Sequence, residues 1–271
     1  MKIELFRIGN VPIYGYGAMI ALGLLMAIIV GVYRFKKQGL KDDAVYDILI
    51  VGGVFGFAGA KLLYVIVEFK DFLADPLGVL GSTGFVVYGG LIAGVVAGWV
   101  YTRIKKLNFM EYWDNVMPEI ALVQGFGRIG CFLAGCCYGR ETHAWYGVVF
   151  PQNSLDPHAG VCRIPTQLIS AAGDWLIAII LIILLDVVFI KVTKQQSKKF
   201  GHVYGDIGCA WLILYGVGRF AIEFLRADYR GEVGIFSTSQ FISIFMVAIG
   251  VGILIFNRMR LKVHTDEDKA E

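Results

Sequence analysis

The sequence predicts an all-α integral membrane protein with seven transmembrane helices. Hydrophobic residues make up 57% of the 271-residue chain and charged residues only 17%. The mean hydropathy is +0.65, which is too apolar for a soluble domain of this length. The apolar residues form long blocks, and a helix needs about 20 such residues to cross a bilayer core. These observations disfavour the alternative of a soluble helical protein with a large core.

Seven apolar blocks are long enough to cross a membrane. They cover residues 13–33, 46–67, 84–103, 115–135, 167–190, 203–225 and 238–257. The first ten residues, MKIELFRIGN, lack the apolar core and the small-residue cleavage site of a signal peptide. We therefore expect the first block to remain in the mature protein.

Lysine and arginine in the connections predict the orientation. Alternate connections carry fifteen of these residues in one set and seven in the other. Because cytoplasmic loops hold the excess of positive charge, the N-terminus is predicted outside and the C-terminus in the cytoplasm. The net charge of +3 is explained by this topology and does not indicate nucleic-acid binding. We expect one membrane domain over residues 1–257, an outer head loop at 138–166 and a cytoplasmic tail at 258–271, unstructured from His264.

Three cations lie inside the apolar blocks: Lys61, Arg128 and Arg219. In the predicted topology all three fall in the outer half of the bilayer, with Arg128 and Arg219 ~10 Å from the helix ends. Snorkelling to the headgroups explains one such residue better than three. Ionisable groups within a membrane are a functional hypothesis by default, and guanidinium groups match phosphate. These residues therefore predict a pocket for a phospholipid phosphate, which suits transfer chemistry, transport or structural lipid binding.

Other polar groups accompany these cations. Tyr215 and Glu223 lie four residues before and after Arg219, on the same helical face. Four acidic residues in the apolar blocks receive no role from the sequence: Glu119, Asp174, Asp186 and Asp206. The second, third and fourth blocks are rich in glycine, which permits either close helix packing or space for a ligand.

The order of motifs along the chain resembles the phosphatidylglycerol–prolipoprotein diacylglyceryl transferase family. The motifs are VPIYGYGAMIALGLLMAI, FGFAGAKLLYV, VVYGGLIAG, GRIGCFLAGCCYG, RIPTQLISA, LYGVGRFAIEFLRAD and STSQFISIFMVAIG. The resemblance implies an enzyme of the bacterial cytoplasmic membrane whose active site faces the outer leaflet. Its partners would be phosphatidylglycerol, the bilayer and preprolipoprotein lipobox peptides. The lipobox cysteine thiol would gain the diacylglyceryl group as a thioether while glycerol phosphate leaves, without a cofactor or a metal.

The resemblance and the positions of the polar groups together predict roles for individual residues. The catalytic residues would be Arg219, Tyr88 and Glu223. The substrate-binding residues would be Arg128, Tyr215, Gly89, Gly90, Gly127, Gly139, Tyr16 and Lys61.

The chain departs from the family signature at four positions. Cys131, Ala134 and Cys136 stand where the family usually has Asn, Asn and Glu, and Tyr88 stands in place of a histidine. Without that histidine, Tyr88, Glu223 or water must deprotonate the acceptor thiol. The departures leave open a paralogue that modifies phospholipid with another acceptor. A lipid or anion transporter is a further alternative, which the crowding of polar groups in the outer half disfavours.

The five cysteines allow several states. Cys209 is expected to be buried in the sixth block, and Cys131 to pack near Arg128. Cys136, Cys137 and Cys162 fall at or in the outer loop, where either thiols or a bridge from Cys162 to Cys136 or Cys137 fits. Zinc binding with His143 and His158 is disfavoured because the spacing matches no standard motif.

Overall fold

The computed structural model of the protein describes residues 3–9, 11–41, 43–82, 84–151, 160–189, 204–228 and 231–267. This part of the chain is mainly helical, and a helix lies at each of the seven predicted blocks. The long helices are α1 (Gly15–Gln38), α2 (Asp43–Val67), α5 (Val87–Ile104), α6 (Phe109–Ala134), α7 (Thr166–Ile182), α8 (Asp206–Glu223) and α9 (Thr238–Glu267). Two short helices, α3 (Phe69–Ala74) and α4 (Pro76–Gly81), follow α2, and a π-helical segment, Ile183–Phe189, extends α7.

Short antiparallel strands connect the helices. A hairpin of β1 (Glu4–Ile8) and β2 (Val11–Tyr14) precedes α1. The pair β3 (Val148–Val149) and β4 (Cys162–Arg163) lies in the predicted head loop, and β5 (Glu232–Val233) pairs with β6 (Phe236–Ser237). Part of the head loop, residues 152–159 with His158, lies outside the described residues.

Five helical stretches are long and apolar enough to cross a membrane, which supports the predicted class of helical membrane protein. They are Gly15–Gln38, Asp43–Val67, Phe109–Ala134, Thr166–Asp186 and Thr238–Met259. Helices α5 and α8, at 18 residues each, complete the predicted set of seven. The number of crossings, their orientation and the predicted extent of one membrane domain stay predictions.

The described chain forms two compact units. One comprises Val30–Tyr112, and the other comprises Met1–Ile29 together with Trp113–Glu271. In the first unit, α2 packs closely along α5. A Cβ on Gly89 would lie 2.3 Å from the carbonyl oxygen of Gly59, so only glycine permits this approach. Gly56, Gly59, Gly89 and Gly90 therefore serve the packing of these two helices.

The second unit is built around α6, α7 and α8. Its apolar core includes Met117 on α6, Leu181 on α7, and Ile207 and Trp211 on α8. Buried Asp114 on α6 accepts hydrogen bonds from the backbone N–H groups of Gly205 and Gly208, at 2.7 and 2.9 Å. A carboxylate at a helix N-terminus satisfies free N–H groups and complements the helix dipole. This cap fixes the start of α8 against α6.

The end of the chain differs from the prediction. Helix α9 continues through Glu267, whereas the sequence predicted a tail from residue 258 that is unstructured from His264. Arg258 donates to Asp206 at 2.8 Å, and Asn257 donates to the same carboxylate at 3.2 Å. These contacts give the end of the apolar block a polar anchor on α8, and the helix extends beyond it. Residues 268–271 lie outside the described part.

Candidate functional site

A cavity of about 290 Å³ lies between α6, α7 and α8 in the second unit. It brings together Arg128 from α6 and Arg219 from α8, two of the three cations that the sequence placed in membrane helices. The remaining lining residues are Ile169, Ser170, Gly173, Asp174, Ile177, Tyr215, Gly218, Ala221, Ile222 and Leu225. The walls are mostly apolar, and the charged groups come from three different helices. Such a cavity suits an amphiphile with an anionic group.

Arg128 projects from the second half of α6 and has a carboxylate as neighbour. Its Nε lies 4.0 Å from Oδ2 of Asp174 on α7, and the two side chains are 21% and 8% exposed. Asp174 Oδ2 is buried and has no hydrogen-bond partner among the described residues. The separation is too long for a hydrogen bond. The Arg128 guanidinium is thus balanced in charge while its hydrogen-bond donors stay available to an anion.

Arg219 is held from two sides. One of its terminal nitrogens donates to Oγ of Ser239 on α9 at 2.7 Å, and the other lies 2.7 Å from Oε2 of Glu223. Glu223 Oε2 also lies 3.9 Å from Nε of Arg226. The guanidinium plane of Arg219 is therefore oriented before any ligand binds, and Glu223 acts on it as a partner in an ion pair.

Tyr215 lies one turn before Arg219 and lines the same cavity. Its ring stacks on Trp211, with centroids 5.3 Å apart and planes only 6° from parallel. This stacking orients the phenol, because Trp211 itself is buried in the core. Tyr215, Arg219 and Glu223 thus lie on one face of α8, as their spacing predicted.

The predicted site residues of the other unit lie on α2 and α5. Tyr88 is the second residue of α5 and is 43% exposed. Gly89 and Gly90 face the backbone carbonyls of Gly59 and Gly56, which explains both glycines by helix packing.

Lys61 on α2 has acceptors for its ammonium group within its own unit. The Nζ atom donates to the carbonyl of Ser82 at 2.8 Å, to the Ser82 hydroxyl at 3.1 Å and to the carbonyl of Gly84 at 3.2 Å. An ammonium group has three donors, so these contacts use all of them. The geometry favours a role in anchoring the turn before α5 over direct contact with substrate.

The remaining predicted residues lie near Arg128 or just after α6. A Cβ on Gly127 would lie 3.3 Å from Ile20, and a Cβ on Gly130 would lie 3.0 Å from the ring and 3.2 Å from the Cα of Tyr16. Helix α6 therefore approaches the start of α1 closely near Arg128. Gly139 follows α6, and a Cβ there would lie 2.6 Å from the carbonyl oxygen of Ile164. Its N–H donates to that oxygen at 3.0 Å, so Gly139 joins the start of the head loop to its end, just before α7.

Three thiols converge immediately beyond Arg128. The sulfur atoms of Cys131, Cys136 and Cys137 all lie within 4.8 Å of one another. All five cysteines are among the described residues, and each is a thiol rather than half of a disulfide, so the bridge from Cys162 is not formed. Hydrogen bonding with Cys131 and Cys137, together with burial, raises the pKa of the Cys136 thiol.

Two residues that contact the arginines of the cavity had no assigned role in the sequence. Asp174 was visible as an acidic residue in an apolar block, but its pairing with Arg128 depends on how α6 and α7 pack. Ser239 gave no signal, because a serine near the start of a helix is common. Its role follows only from the 2.7 Å contact with Arg219.

Comparison with known proteins finds relatives that match almost the whole chain. The family model for prolipoprotein diacylglyceryl transferase matches residues 3–256. The phosphatidylglycerol–prolipoprotein diacylglyceryl transferase of Clostridium tetani is 42% identical over 96% of this chain and 99% of its own length. Phosphatidylglycerol–prolipoprotein diacylglyceryl transferase 2 of Clostridium perfringens is 40% identical over 97% of each chain. The Finegoldia magna transferase is 32% identical over 91% of this chain and 92% of its own length. The chain belongs to the prolipoprotein diacylglyceryl transferase family.

Proposed function

We propose that the protein transfers the diacylglyceryl group of phosphatidylglycerol to the cysteine thiol of a prolipoprotein. The family and the names of its relatives indicate this reaction, and the long apolar helices suit a membrane-embedded enzyme with a lipid substrate. The observation that carries the proposal for this chain is the cavity lined by Arg128 and Arg219. Two guanidinium groups within apolar walls match a phosphate that carries acyl chains.

In this proposal Arg128 binds the phosphate of the lipid. Its donors are available because Asp174, at 4.0 Å, balances the charge without a hydrogen bond. The acyl chains would lie along the apolar wall formed by Ile169, Ile177 and Ile222. A planar guanidinium can hold two phosphate oxygens at once, which an ammonium group cannot do in the same geometry.

The reaction proposed is a displacement at a glycerol carbon. The acceptor sulfur, as a thiolate, attacks the carbon that bears the phosphate ester, so a C–S bond forms while the C–O bond breaks. The bonding electrons leave with the phosphate oxygen of glycerol phosphate, and the products are a thioether and this anion. Arg219, oriented by Glu223 and Ser239, would stabilise the charge that develops on the departing phosphate. Tyr88, at the start of α5, would keep the catalytic role that the family resemblance suggests.

The proposal includes a topology. All seven long helices would cross the bacterial cytoplasmic membrane, with the N-terminus and the head loop outside. The unequal distribution of Lys and Arg in the connections supports this orientation. Arg128 and Arg219 would then lie at the level of the outer leaflet, and the head loop would lie beside the cavity where an acceptor peptide approaches.

The test is a transfer assay with the purified full-length protein. Phosphatidylglycerol with a labelled glycerol backbone is incubated with a lipobox peptide, and the thioether product is identified by mass spectrometry. Arg128→Gln should abolish most of the product at matched amounts of folded protein. Arg7→Gln is a matched control, because that arginine is exposed and pairs only with nearby Glu4 among the described residues. Lipid binding without any thioether product would contradict the proposed reaction and favour the paralogue with another acceptor.

A further inference from the structure

The cluster of Cys131, Cys136 and Cys137 has the dimensions of a metal site. Its sulfur atoms lie within 4.8 Å of one another, and three thiolates around one Zn²⁺ ion at 2.3 Å would be about 3.8 Å apart. Side-chain adjustments of less than an ångström would close that difference. His143 is not part of this cluster.

The backbone around the cluster holds these thiols in place. Cys137 has a φ of 64°, in the left-handed region that a residue with a side chain rarely adopts. Its carbonyl accepts from Thr166 Oγ1 at 2.8 Å, and the Cys136 carbonyl accepts from Gln167 Nε2 at 2.7 Å. Residues in such conformations persist when their surroundings over-determine them, and they concentrate at functional sites.

One polar atom beside the cluster lacks a partner. Gln167 is 1% exposed, and its Oε1 has no hydrogen-bond partner among the described residues, although its Nε2 is bound to Cys136. A buried amide oxygen without a partner costs free energy unless something else binds there. A metal ion, or a water bound to it beside Cys136, would supply a cation or a donor for this oxygen.

The cluster is close to the proposed phosphate site. Cys131 follows Arg128 by three residues on α6, so the two side chains share one helix face with Cβ atoms about 5–6 Å apart. The proposed reaction joins a thiol to the carbon next to the phosphate that Arg128 binds. It also needs that thiol as a thiolate, and no histidine lines the cavity formed by the described residues.

We propose that Cys131, Cys136 and Cys137 form a three-thiolate site for Zn²⁺, and that its open fourth position binds the acceptor thiol. Structural zinc sites are closed by four protein ligands, whereas sites with three keep a position for a reactant. A thiol that coordinates such a cation is deprotonated at neutral pH. The inference rests on the proposed function for the identity of the acceptor, while metal binding by the three cysteines stands independently of it.

The step balances without an oxidant or a reductant. The acceptor S–H proton passes to water as its sulfur binds the ion, and the bound thiolate then attacks the glycerol carbon. The C–S bond forms, the C–O bond breaks, and its electron pair leaves with glycerol phosphate. The thioether product is neutral and a weaker ligand than the thiolate, so it can leave the ion to the next acceptor.

Cobalt binding tests the site directly. The full-length protein, purified in detergent and reduced without oxygen, is titrated with Co²⁺, whose thiolate complexes absorb by ligand-to-metal charge transfer. We expect one Co²⁺ ion per chain, displaced by Zn²⁺. Cys131→Ser, Cys136→Ser and Cys137→Ser should each weaken binding by more than about 100-fold, which exceeds the usual loss for residues that only hydrogen-bond a metal ligand. Cys209→Ser is the matched control, because this buried cysteine lies on α8 outside the cluster.

Protection of the cysteine thiols from alkylation by bound metal tests the site without any substitution, so it applies even if a serine variant does not fold. In the unmutated protein, Zn²⁺ should protect Cys131, Cys136 and Cys137 from alkylation, as counted by mass spectrometry, and should leave Cys162 reactive. The proposal is overturned if no charge-transfer band appears, if the band survives all three serine substitutions, or if the cluster forms a disulfide and binds no metal once reduced.

An acceptor peptide tests the role of the fourth position. A lipobox peptide should strengthen the charge-transfer band of the cobalt protein, and the same peptide with serine in place of cysteine should not. If transfer continues at an unchanged rate after the metal is removed, the metal-bound acceptor is excluded while the proposed function stands. If the cobalt site forms but no diacylglyceryl transfer occurs, the proposed function fails and the thiolate site remains.

Discussion

Oδ2 of Asp174 lies 4.0 Å from Nε of Arg128, across the boundary between α7 and α6. Both side chains line the cavity, and the aspartate is the more deeply buried of the two. Burying a charge without a partner costs free energy. Each of these two residues lowers that cost for the other within the apolar cavity. A lipid phosphate bound at Arg128, as proposed, would supply a second negative charge at the same place.

This relationship predicts the behaviour of Asp174→Asn. The variant should lose ~1–3 kcal/mol of unfolding free energy without lipid, because Arg128 is left without its counter-charge. Phosphatidylglycerol should restore much of this loss, so the lipid should raise the Tm of the variant more than that of the parent. The measurement is thermal unfolding with and without lipid, and Asp71→Asn, at an exposed position, is the control. An equal lipid effect in both proteins would show that Arg128 does not bind the phosphate.

Substitutions of Arg128 should separate the effect of its charge on turnover from the effect of its planar guanidinium group. Arg128→Gln removes a donor to the developing anion and should lower turnover by a factor equivalent to ~3–4 kcal/mol. Arg128→Lys keeps the charge but loses the planar fork, so it should recover only part of the rate. Turnover of phosphatidylglycerol at matched folded protein checks both. Parental activity in Arg128→Gln would make the arginine structural.

Lys61→Gln should behave as a structural substitution. The ammonium group anchors Ser82 and Gly84, so its loss should cost ~1–3 kcal/mol of stability in the turn before α5. Turnover should fall far less than in Arg128→Gln, with an unchanged KM for phosphatidylglycerol. Unfolding and steady-state kinetics measure the two effects. A large rise in KM with unaltered stability would instead support the direct binding role that the sequence predicted.

Tyr88→Phe removes a single hydroxyl from the start of α5. If this group hydrogen-bonds the reacting atoms, turnover should fall by about 100-fold, at the lower end for acid–base groups. The Tm should change little, because the ring stays in place and is 43% exposed. Tyr146→Phe, in the head loop, removes a hydroxyl from another exposed tyrosine and serves as control. An unchanged rate in Tyr88→Phe would leave Tyr88 as a packing residue.

Reporter insertions test the topology. A reporter beside Trp145, which is 95% exposed in the head loop, should be found outside the cell membrane. A fusion at the C-terminus should be found in the cytoplasm, because three of the proposed crossings, α7, α8 and α9, separate it from the head loop. The reverse pair of results would place Arg128 and Arg219 at the inner leaflet and overturn the proposed approach of the acceptor.

The amino-acid sequence determined the helical class, the positions of the seven long helices and two cations of the cavity. These properties follow from local composition and from helical spacing, as with Tyr215, Arg219 and Glu223 on one face of α8. The sequence did not reveal the extension of α9 to Glu267, because the composition of its last turns is that of a solvated tail.

Tertiary structure decided the contacts between residues far apart in the chain. Arg128 pairs with Asp174 because α7 packs beside α6, and Arg219 pairs with Ser239 because α9 packs beside α8. No local sequence pattern shows which faces of these helices are in contact. The environment of Lys61 was also decided by tertiary structure. Its charge predicted a ligand, but its ammonium group donates hydrogen bonds to a turn about 21 residues later in the chain. A membrane helix must satisfy its polar groups internally, and only the packed structure shows whether a neighbouring helix does so or a ligand is needed.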